Sequence, residues 1–328
     1  MIPSSPIVRT RMALVLKHRR GVVGSVRRSA TRCLDRAIDD LKSPDKPPAA
    51  VVHEVRKRCN EGRALLRLLR GSLDQRTYRR ENAFLRDFRR GFAAYRDQSA
   101  LAQAYDLLID RAGSGDHRPS LEARAKLGFP GPNAGEARRL FQAAATELER
   151  ARRRIAAWRL EDRGFMTIGP GLRRTYRSAR RASRRALADP TPEHLHEWRK
   201  AAKYHRLHLR LLRPIWKPVV TTHLREVANL TDLLGEDHDL HVLRQRVVQR
   251  RAELGADSRL ILNFLDRRRA ALLSEIVQLG QRVFAERPGA LARRFRAYFT
   301  IWQRRHEPTV LRLTEAPRLA TPIRRRGT

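Results

Sequence analysis

The feature of this sequence that most restricts its fold is an internal repeat. Residues 52–70 read VHEVRKRCNEGRALLRLLR, and residues 195–213 read LHEWRKAAKYHRLHLRLLR. The two segments align without a gap at an offset of 143 residues and share ten identical positions out of 19. A unit of this length is longer than the repeats of solenoid proteins, which span about 20–50 residues. The repeat therefore predicts a duplicated helical bundle.

Each copy of the repeat separates basic and apolar residues onto opposite faces of a helix, when residues are placed at about 100° intervals. The basic faces contain His53, Arg56, Lys57, Arg63 and Arg67 in the first copy, and His196, Arg199, Lys200, Lys203, Arg206 and Arg210 in the second. The apolar faces contain Val52, Val55, Cys59, Leu66 and Leu69 in the first copy, and Trp198, Ala202, Leu209 and Leu212 in the second. Like charges three or four residues apart repel by a few tenths of a kcal/mol per pair, which favours an anionic partner. Glu54 and Glu197 project off the basic face. We interpret them as acids near a helix N-terminus that interact favourably with the helix dipole.

The charge of the whole chain points to the same kind of partner. The 328 residues include 71 Lys and Arg but only 34 Asp and Glu, for a formal net charge of +37. A charge this large destabilises a compact state through self-repulsion unless a polyanion binds. Nucleic acid, an anionic membrane and a phosphate polymer all remain candidates at this point.

The distribution of proline and apolar residues predicts an all-α fold. Three proline-free stretches, 49–118, 133–169 and 219–287, have apolar residues three and four positions apart and lack the alternation typical of strands. We expect a first helical half at 12–166, a second at 169–306 and a basic, loosely held tail at 307–328. Proline and glycine predict loops at residues 43–48 and 113–119, at residues 128–133, and at 169–171.

Basic residues also occur on the helix that precedes each repeat. Arg173, Arg177 and Arg180 lie within about 60° of one another on the second of these helices. Arg27 and Arg28 are the less regular counterparts before the first copy. Thr191 and Pro192 predict the capped start of the second repeat helix. With two basic helices in each half, we expect one elongated cationic groove.

Three pieces of the sequence together resemble the CHAD family, the conserved histidine α-helical domain. The first is the duplicated His-Glu-x-Arg-Lys helix, the second is GLRRTYRSARRASRRALADPTPEHLHEWRKAAK at 171–203, and the third is LTDLLGEDHDLHVL at 230–243. A weaker counterpart of the third, FAAYRDQSAL, occupies residues 92–101. The resemblance extends over nearly the whole chain, from about residue 12 to residue 306.

The resemblance implies two pseudo-symmetric, antiparallel four-helix bundles around a basic pocket that binds inorganic polyphosphate without turnover. It also implies association with polyphosphate granules and no cofactor. The implied ligands are His53, Arg56, Lys57, Arg63, Arg67 and their equivalents His196, Arg199, Lys200, Arg206 and Arg210, to which we add Lys203, Arg173, Arg177, Arg180, Arg27 and Arg28. Asn60 stands where the second copy has Lys203, so we expect the two halves to contribute unequally.

The histidines near residue 240 would also suit a metal site. His238 and His241, with Asp237 and Asp239, have the spacing of half a metal site. A helix boundary, with Gly235 ending one helix, is the interpretation we favour, because the first copy has no matching histidines. His205 and His208 lie on the apolar face and are expected to be buried.

Catalysis and nucleic-acid binding are less compatible with the sequence than polyphosphate binding is. A histidine that carries a phosphoryl group between proteins does not require a large positive charge, so the net charge of +37 disfavours a phosphotransfer role. We also expect no carboxylates to converge on the basic faces to hold a metal for hydrolysis. Aromatic residues make up only 6% of the chain and do not interleave with the basic face, which disfavours specific binding of single strands. Incidental nucleic-acid binding at low salt is expected, and generic polyanion binding remains the alternative function. No membrane role is expected.

Cysteine usage and hydropathy predict the compartment. Cys33 and Cys59 are the only cysteines and form no Cys-x-x-Cys pair, which excludes a disulfide scaffold and a zinc ribbon. The longest apolar run near the N-terminus, residues 12–16, is too short for a signal sequence. We therefore expect a cytoplasmic protein.

Overall fold

The computed structural model describes residues 14–111, 119–128 and 134–304. The predicted tail at 307–328 lies outside the described residues, as do the first two residues of the first predicted half and the last two of the second. The domain limits 12–166 and 169–306 therefore stay predictions.

The described chain is helical, which confirms the all-α prediction. The helices are α1 (Gly21–Lys42), α2 (Pro48–Leu68), α3 (Gln75–Arg90), α4 (Ala93–Arg111), α5 (Leu121–Leu127), α6 (Ala134–Ala156), α7 (Gly169–Ala188), α8 (Pro192–Leu212), α9 (Lys217–Gln249), α10 (Arg251–Leu254), α11 (Asp257–Val283) and α12 (Pro288–Arg304). The two copies of the repeat form α2 and α8.

The helices of the two halves pair in corresponding ways. In the first half α1 packs against α2 and α6, and α2 packs against α3. In the second half α7 packs against α8 and α12, and α8 packs against α9. The long helix α9 corresponds to α3 and α4 together, whereas α11 is much longer than α5. Two equal four-helix bundles remain a prediction, since the buried apolar residues of both halves belong to one core cluster.

The apolar faces of both repeat helices are buried in this core, as their periodicity predicts. Val55 and Cys59 of α2 and Trp198 and Leu209 of α8 are completely inaccessible to solvent. Each fully buried leucine-sized side chain contributes about 1.5–3 kcal/mol to folding. Burial of these faces leaves the opposite, basic faces directed away from the core.

The start of α8 follows the prediction, but the start of α7 does not. The Thr191 hydroxyl accepts a hydrogen bond from the backbone N–H of His194, and Pro192 is the first residue of α8. The prediction of a loop at 169–171 is wrong, because these residues form the first turn of α7. Glycine is needed there for close packing: a Cβ atom at Gly171 would lie 1.8 Å from the carbonyl oxygen of Leu68.

Candidate functional site

The two repeat helices cross in antiparallel orientation, because residue numbers fall along α8 as they rise along α2. Arg210 Nη1 lies 3.2 Å from Glu61 Oε1, and the Arg67 guanidinium carbon lies 4.2 Å from the centre of the Tyr204 ring. Between these contacts, His208 Nε2 donates to the Ala64 carbonyl oxygen at 2.8 Å. The crossing therefore joins the two halves of the chain.

The outer two contacts at this crossing are related by the repeat. Arg67 and Arg210 are equivalent at the offset of 143 residues, and so are Glu61 and Tyr204. Each arginine thus contacts the same position of the other copy. That position is a buried carboxylate in the first copy and an aromatic ring in the second, so only Arg210 is neutralised.

Four arginines of α2 and α3 form what we call the first-half arginine cluster: Arg56, Arg63, Arg67 and Arg89. Arg56 Nη1 donates to the Arg89 carbonyl oxygen at 3.0 Å, and Arg63 Nε donates to Asn82 Oδ1 at 3.3 Å. Arg89 Nη1 donates to Asn60 Oδ1 at 3.4 Å. These hydrogen bonds use carbonyl and amide oxygens, which orient a guanidinium without neutralising its charge.

Within the described part of the chain, Arg63, Arg67 and Arg89 make no ion pair. The Nε atoms of Arg67 and Arg89 are buried without a hydrogen-bond partner. Asp87, on the same helix as Arg89, pairs with Arg86 and Arg90 instead. Buried donors without acceptors cost free energy, so the cluster is suited to binding an anion.

The pKa values of two groups reflect the same concentration of positive charge. Burial lowers the pKa of Arg63, and Arg67, Arg89 and Arg86 lower it further against the opposing effect of Tyr204. Burial raises the pKa of the Cys59 thiol to about 12, although Arg89, Arg56 and Arg63 act to lower it. These guanidinium groups are therefore close enough together to act on common neighbours.

The second half neutralises its equivalent arginine internally. Arg206, the equivalent of Arg63, donates through Nη1 to Thr231 Oγ1 at 2.9 Å and to Asp232 Oδ1 at 2.8 Å. Asp232 lies at the position equivalent to Arg89 at the repeat offset. The second half therefore has an acid at the position where the first half has an arginine, and its positive charge is lower there.

Arg199 and Lys203 lie in a cleft of about 310 Å³ between α4, α8, α9 and α11. Asp232, Glu236 and Asp239 also line this cleft, so it contains charges of both signs. Glu236 pairs with Arg268 of α11 and with Arg111 of α4. The expected helix boundary at Gly235 is wrong, since α9 runs through it.

Gly235 lies inside α9, opposite Arg199 of α8. A Cβ atom at Gly235 would lie 3.4 Å from both Nε and Nη2 of Arg199, which is only 8% exposed. The Arg199 guanidinium thus packs close to the backbone of α9 at this glycine.

The histidines that begin the two basic faces have different surroundings. His53 is exposed, whereas His196 is half-buried with its Nδ1 atom 3.2 Å from His238 Nδ1. Burial lowers the pKa of His196, and Lys200 and Arg199 lower it further. Lys57 and Lys200 pair with Glu54 and Glu197 on their own helices, which agrees with the electrostatic interpretation of these acids.

The predicted arginines of α1 and α7 have several different surroundings. Arg173 and Arg177 line a separate pocket between α7 and α12. Arg180 Nε donates to the Phe284 carbonyl oxygen at 3.0 Å, Arg27 donates to the Trp158 carbonyl oxygen, and Arg28 is exposed. One elongated cationic groove therefore stays a prediction.

The described residues contain no group of three or more His, Cys, Asp or Glu side chains that could hold a metal ion. Asp237 pairs with Arg269 at 2.9 Å, and His238 faces His196. His205 and His208 are buried, as predicted from the apolar face. The counterpart motif at residues 92–101 lies mostly outside this description, because the side chains of residues 93–100 are not among those described.

Several residues that contribute to the basic surfaces were not predicted from the sequence: Arg89, Asn82, Tyr204, Arg293 and Arg296. The first two lie on α3, outside the 19-residue repeat, and nothing in the local sequence marks them. Tyr204 lies on α8 and contacts Arg67 of the other copy.

Fold and site together define a class of internally repeated, all-helical proteins whose two equivalent helices present basic faces. The CHAD domain family model matches residues 28–248, and the chain belongs to that family. No curated protein matches the chain. None of the described helices is long and apolar enough to cross a membrane.

Proposed function

We propose that this protein binds inorganic polyphosphate, and that the first-half arginine cluster is its principal binding surface. Membership of the CHAD family, which is linked to polyphosphate binding, supports the ligand class. The observation that favours the position is that Arg63, Arg67 and Arg89 have no carboxylate partner among the described residues, whereas Arg206 and Arg210 do. Among the described residues, no carboxylate competes with an anionic ligand for Arg63, Arg67 or Arg89.

The chemistry of the cluster suits a phosphate chain. Guanidinium groups pair with two phosphate oxygens at once, and charge-assisted hydrogen bonds are about twice as strong as neutral ones. The buried Nε donors of Arg67 and Arg89 gain acceptors when phosphate binds. Neutralising a closely charged polymer releases counterions, so we expect binding to weaken with salt.

We further propose that binding occurs without turnover and brings the protein to polyphosphate granules in the cytoplasm. Hydrolysis of a phosphate chain is commonly assisted by metal ions. Two carboxylates of the second-half cleft are occupied by arginines: Arg206 holds Asp232, and Arg111 and Arg268 hold Glu236. This arrangement favours a binding protein over a hydrolase.

The first experiment is a calorimetric titration near physiological ionic strength, where the Debye length is about 8 Å. Long-chain polyphosphate and duplex DNA are compared at equal phosphate concentration, with short single-stranded DNA as a further ligand. We expect tighter binding of polyphosphate, persisting as salt rises. Equal binding of all three, lost together with salt, contradicts the proposal and leaves a generic polyanion or nucleic-acid binder.

The same titration with variants tests the position of the site. Arg67→Gln with Arg89→Gln removes two charges from the cluster, whereas Arg259→Gln with Arg267→Gln removes two exposed charges from α11. We expect the first variant to lose at least about tenfold in polyphosphate affinity and the second to lose little. Equal losses would mean that binding depends on diffuse charge rather than on the cluster.

A further inference from the structure

We propose that the pocket between α7 and α12 is a second phosphate-binding site, which takes a separate segment of an inorganic phosphate chain. The identity of the ligand rests on the proposed function above. The site itself rests on its own residues, which belong to other helices than the first-half arginine cluster.

The pocket has a volume of about 420 Å³, and five of its lining residues are arginines. Three come from α7 and two from α12: Arg173, Arg174, Arg177, Arg293 and Arg296. No acidic residue is among the described residues that line it. The charged side chains that α7 and α12 contribute to this pocket are therefore all positive.

These charges are not neutralised within the described part of the chain. Arg173, Arg177, Arg293 and Arg296 take part in none of its ion pairs, and Arg174 Nη1 donates to the Arg70 carbonyl oxygen at 2.7 Å. Arg173 and Arg177 are four residues apart on one helix, and Arg293 and Arg296 are three apart on the other, so both pairs repel. A bound anion would relieve the repulsion on both helices together.

The rest of the pocket wall strengthens this attraction. Phe165, Pro170 and Ala292 contribute apolar surface beside the guanidinium groups. Charge interactions are stronger where water is displaced by apolar groups. Pro170 also belongs to the first turn of α7, the end of the helix dipole that favours anions.

The pocket is not contained in the part of the chain that matches the family. That match ends at residue 248, whereas Arg293 and Arg296 lie on α12. Two of the five arginines therefore come from sequence beyond the match, where no repeat or motif marks them as binding residues.

A second site changes what the protein does to a long polymer. With one site, each protein molecule binds one segment of a polyphosphate chain and does not link it to another. With two separate sites it links two chains, or two distant segments of one chain, and binding becomes multivalent. We therefore expect long-chain polyphosphate to be cross-linked into a condensed phase at ratios where both sites are filled.

Titration calorimetry with inorganic tripolyphosphate, a short probe, counts the binding sites. We expect two binding events for the unaltered protein, one after Arg293→Ala with Arg296→Ala, and one after Arg67→Gln with Arg89→Gln. Arg259→Ala with Arg267→Ala is the matched control on α11 and should keep both. Turbidity with long-chain polyphosphate should fall at least fivefold in each one-site variant and stay unchanged in the control. Thermal unfolding of each variant verifies that the fold is retained.

The outcomes separate this proposal from the proposed function. If the Arg293 and Arg296 variant keeps two binding events, or loses turbidity only as the control does, the second site is refuted. If the unaltered protein shows a single event that only this variant removes, the first-half cluster is refuted and the α7–α12 pocket stands. No binding of tripolyphosphate by the unaltered protein overturns both. Equal displacement by single-stranded DNA overturns the assignment of the ligand.

Discussion

Arg67 contacts the face of Tyr204, with the guanidinium carbon 4.2 Å from the ring centre, and its repeat equivalent Arg210 forms an ion pair with Glu61. Glu61 and Tyr204 are themselves equivalent in the repeat. The two contacts therefore join the same two repeat positions, but one is a cation–π contact and the other is an ion pair. An aromatic face attracts a cation but leaves its charge available to a phosphate. A carboxylate neutralises it. If the proposed function holds, the duplication has given Arg210 a role in the fold and Arg67 a role in binding the ligand.

Substituting the ring of Tyr204 tests this division directly. Tyr204→Glu gives Arg67 the acid that Arg210 already has, so phosphate must compete with an internal carboxylate. We expect polyphosphate affinity to fall about tenfold, since a hydrogen bond to a charged group is worth about 1.5–3 kcal/mol. Tyr204→Phe keeps the aromatic face and should bind like the unaltered protein. Titration calorimetry measures both; equal affinities for the Glu and Phe variants would show that Arg67 does not bind the ligand.

A second prediction concerns the stability of the crossing. Glu61 is fully buried and contacts Arg58 of its own helix, Arg210 of α8 and the Cys33 thiol, whose Sγ donates to Oε2 at 3.5 Å. Glu61→Gln leaves Arg210 without its counter-charge and leaves Arg58, only 7% exposed, with Glu54 alone. Removing one partner of a buried ion pair costs about 3–5 kcal/mol when no other counter-charge remains, so denaturant unfolding should show a loss of about 3 kcal/mol.

The control for this variant is Glu149→Gln, which removes an acid paired with the exposed Lys42. Its free energy of unfolding should match that of the unaltered protein within error, because exposed ion pairs contribute little. If Glu61→Gln is as stable as Glu149→Gln, the crossing does not depend on charge neutralisation at Glu61.

The sequence predicts the faces of α2 and α8 well, because a helical period of 3.6 residues determines which side chains point to the core and which point away. It does not predict the partners of those basic faces. Arg63 and Arg206 are identical in the repeat, yet Arg206 is neutralised by Asp232 and Arg63 has Arg89 nearby. These partners come from α3 and α9, where the repeat has no identity to follow.

Two glycines led to wrong predictions about helix boundaries. Gly171 and Gly235 both lie inside helices. At Gly171 the Leu68 carbonyl oxygen takes the place of a Cβ atom, whereas at Gly235 a Cβ atom would only contact the Arg199 guanidinium. A glycine that packs closely against another element looks the same in a sequence as a glycine that ends a helix.

A third prediction concerns acid stability. Burial lowers the pKa of His208 to about 4 and that of His223 to about 4. Both histidines are therefore neutral when folded but bind a proton near pH 6.5 when unfolded. The unfolded state takes up more protons below pH 6.5, so stability falls as the pH drops from 6.5 towards 4. Each histidine contributes about 3 kcal/mol of this loss.

His208→Gln isolates one of the two contributions. The Gln amide preserves a donor for the Ala64 carbonyl oxygen but does not titrate in this range. Denaturant unfolding at pH 7 and pH 4.5 should show a smaller loss for this variant than for the unaltered protein. Identical losses would mean that His208 does not titrate on unfolding.

The last prediction asks whether the basic face of α8, at His196, contacts the polymer. In the free protein, burial together with Lys200 and Arg199 holds the pKa of His196 below its ordinary value of 6.5. His238 and Lys203 face the same region. A phosphate bound beside His196 favours the charged imidazolium, so its pKa rises on binding and the complex takes up a proton. Affinity for long-chain polyphosphate should therefore increase as the pH falls from 7 to 5.5. In His196→Gln this increase should disappear while affinity at pH 7.5 is unchanged.

Titrations of both proteins in two buffers of different ionisation enthalpy measure the affinity and the proton uptake together. Proton uptake that persists in His196→Gln would place the titrating group elsewhere and show that the polymer does not act on His196.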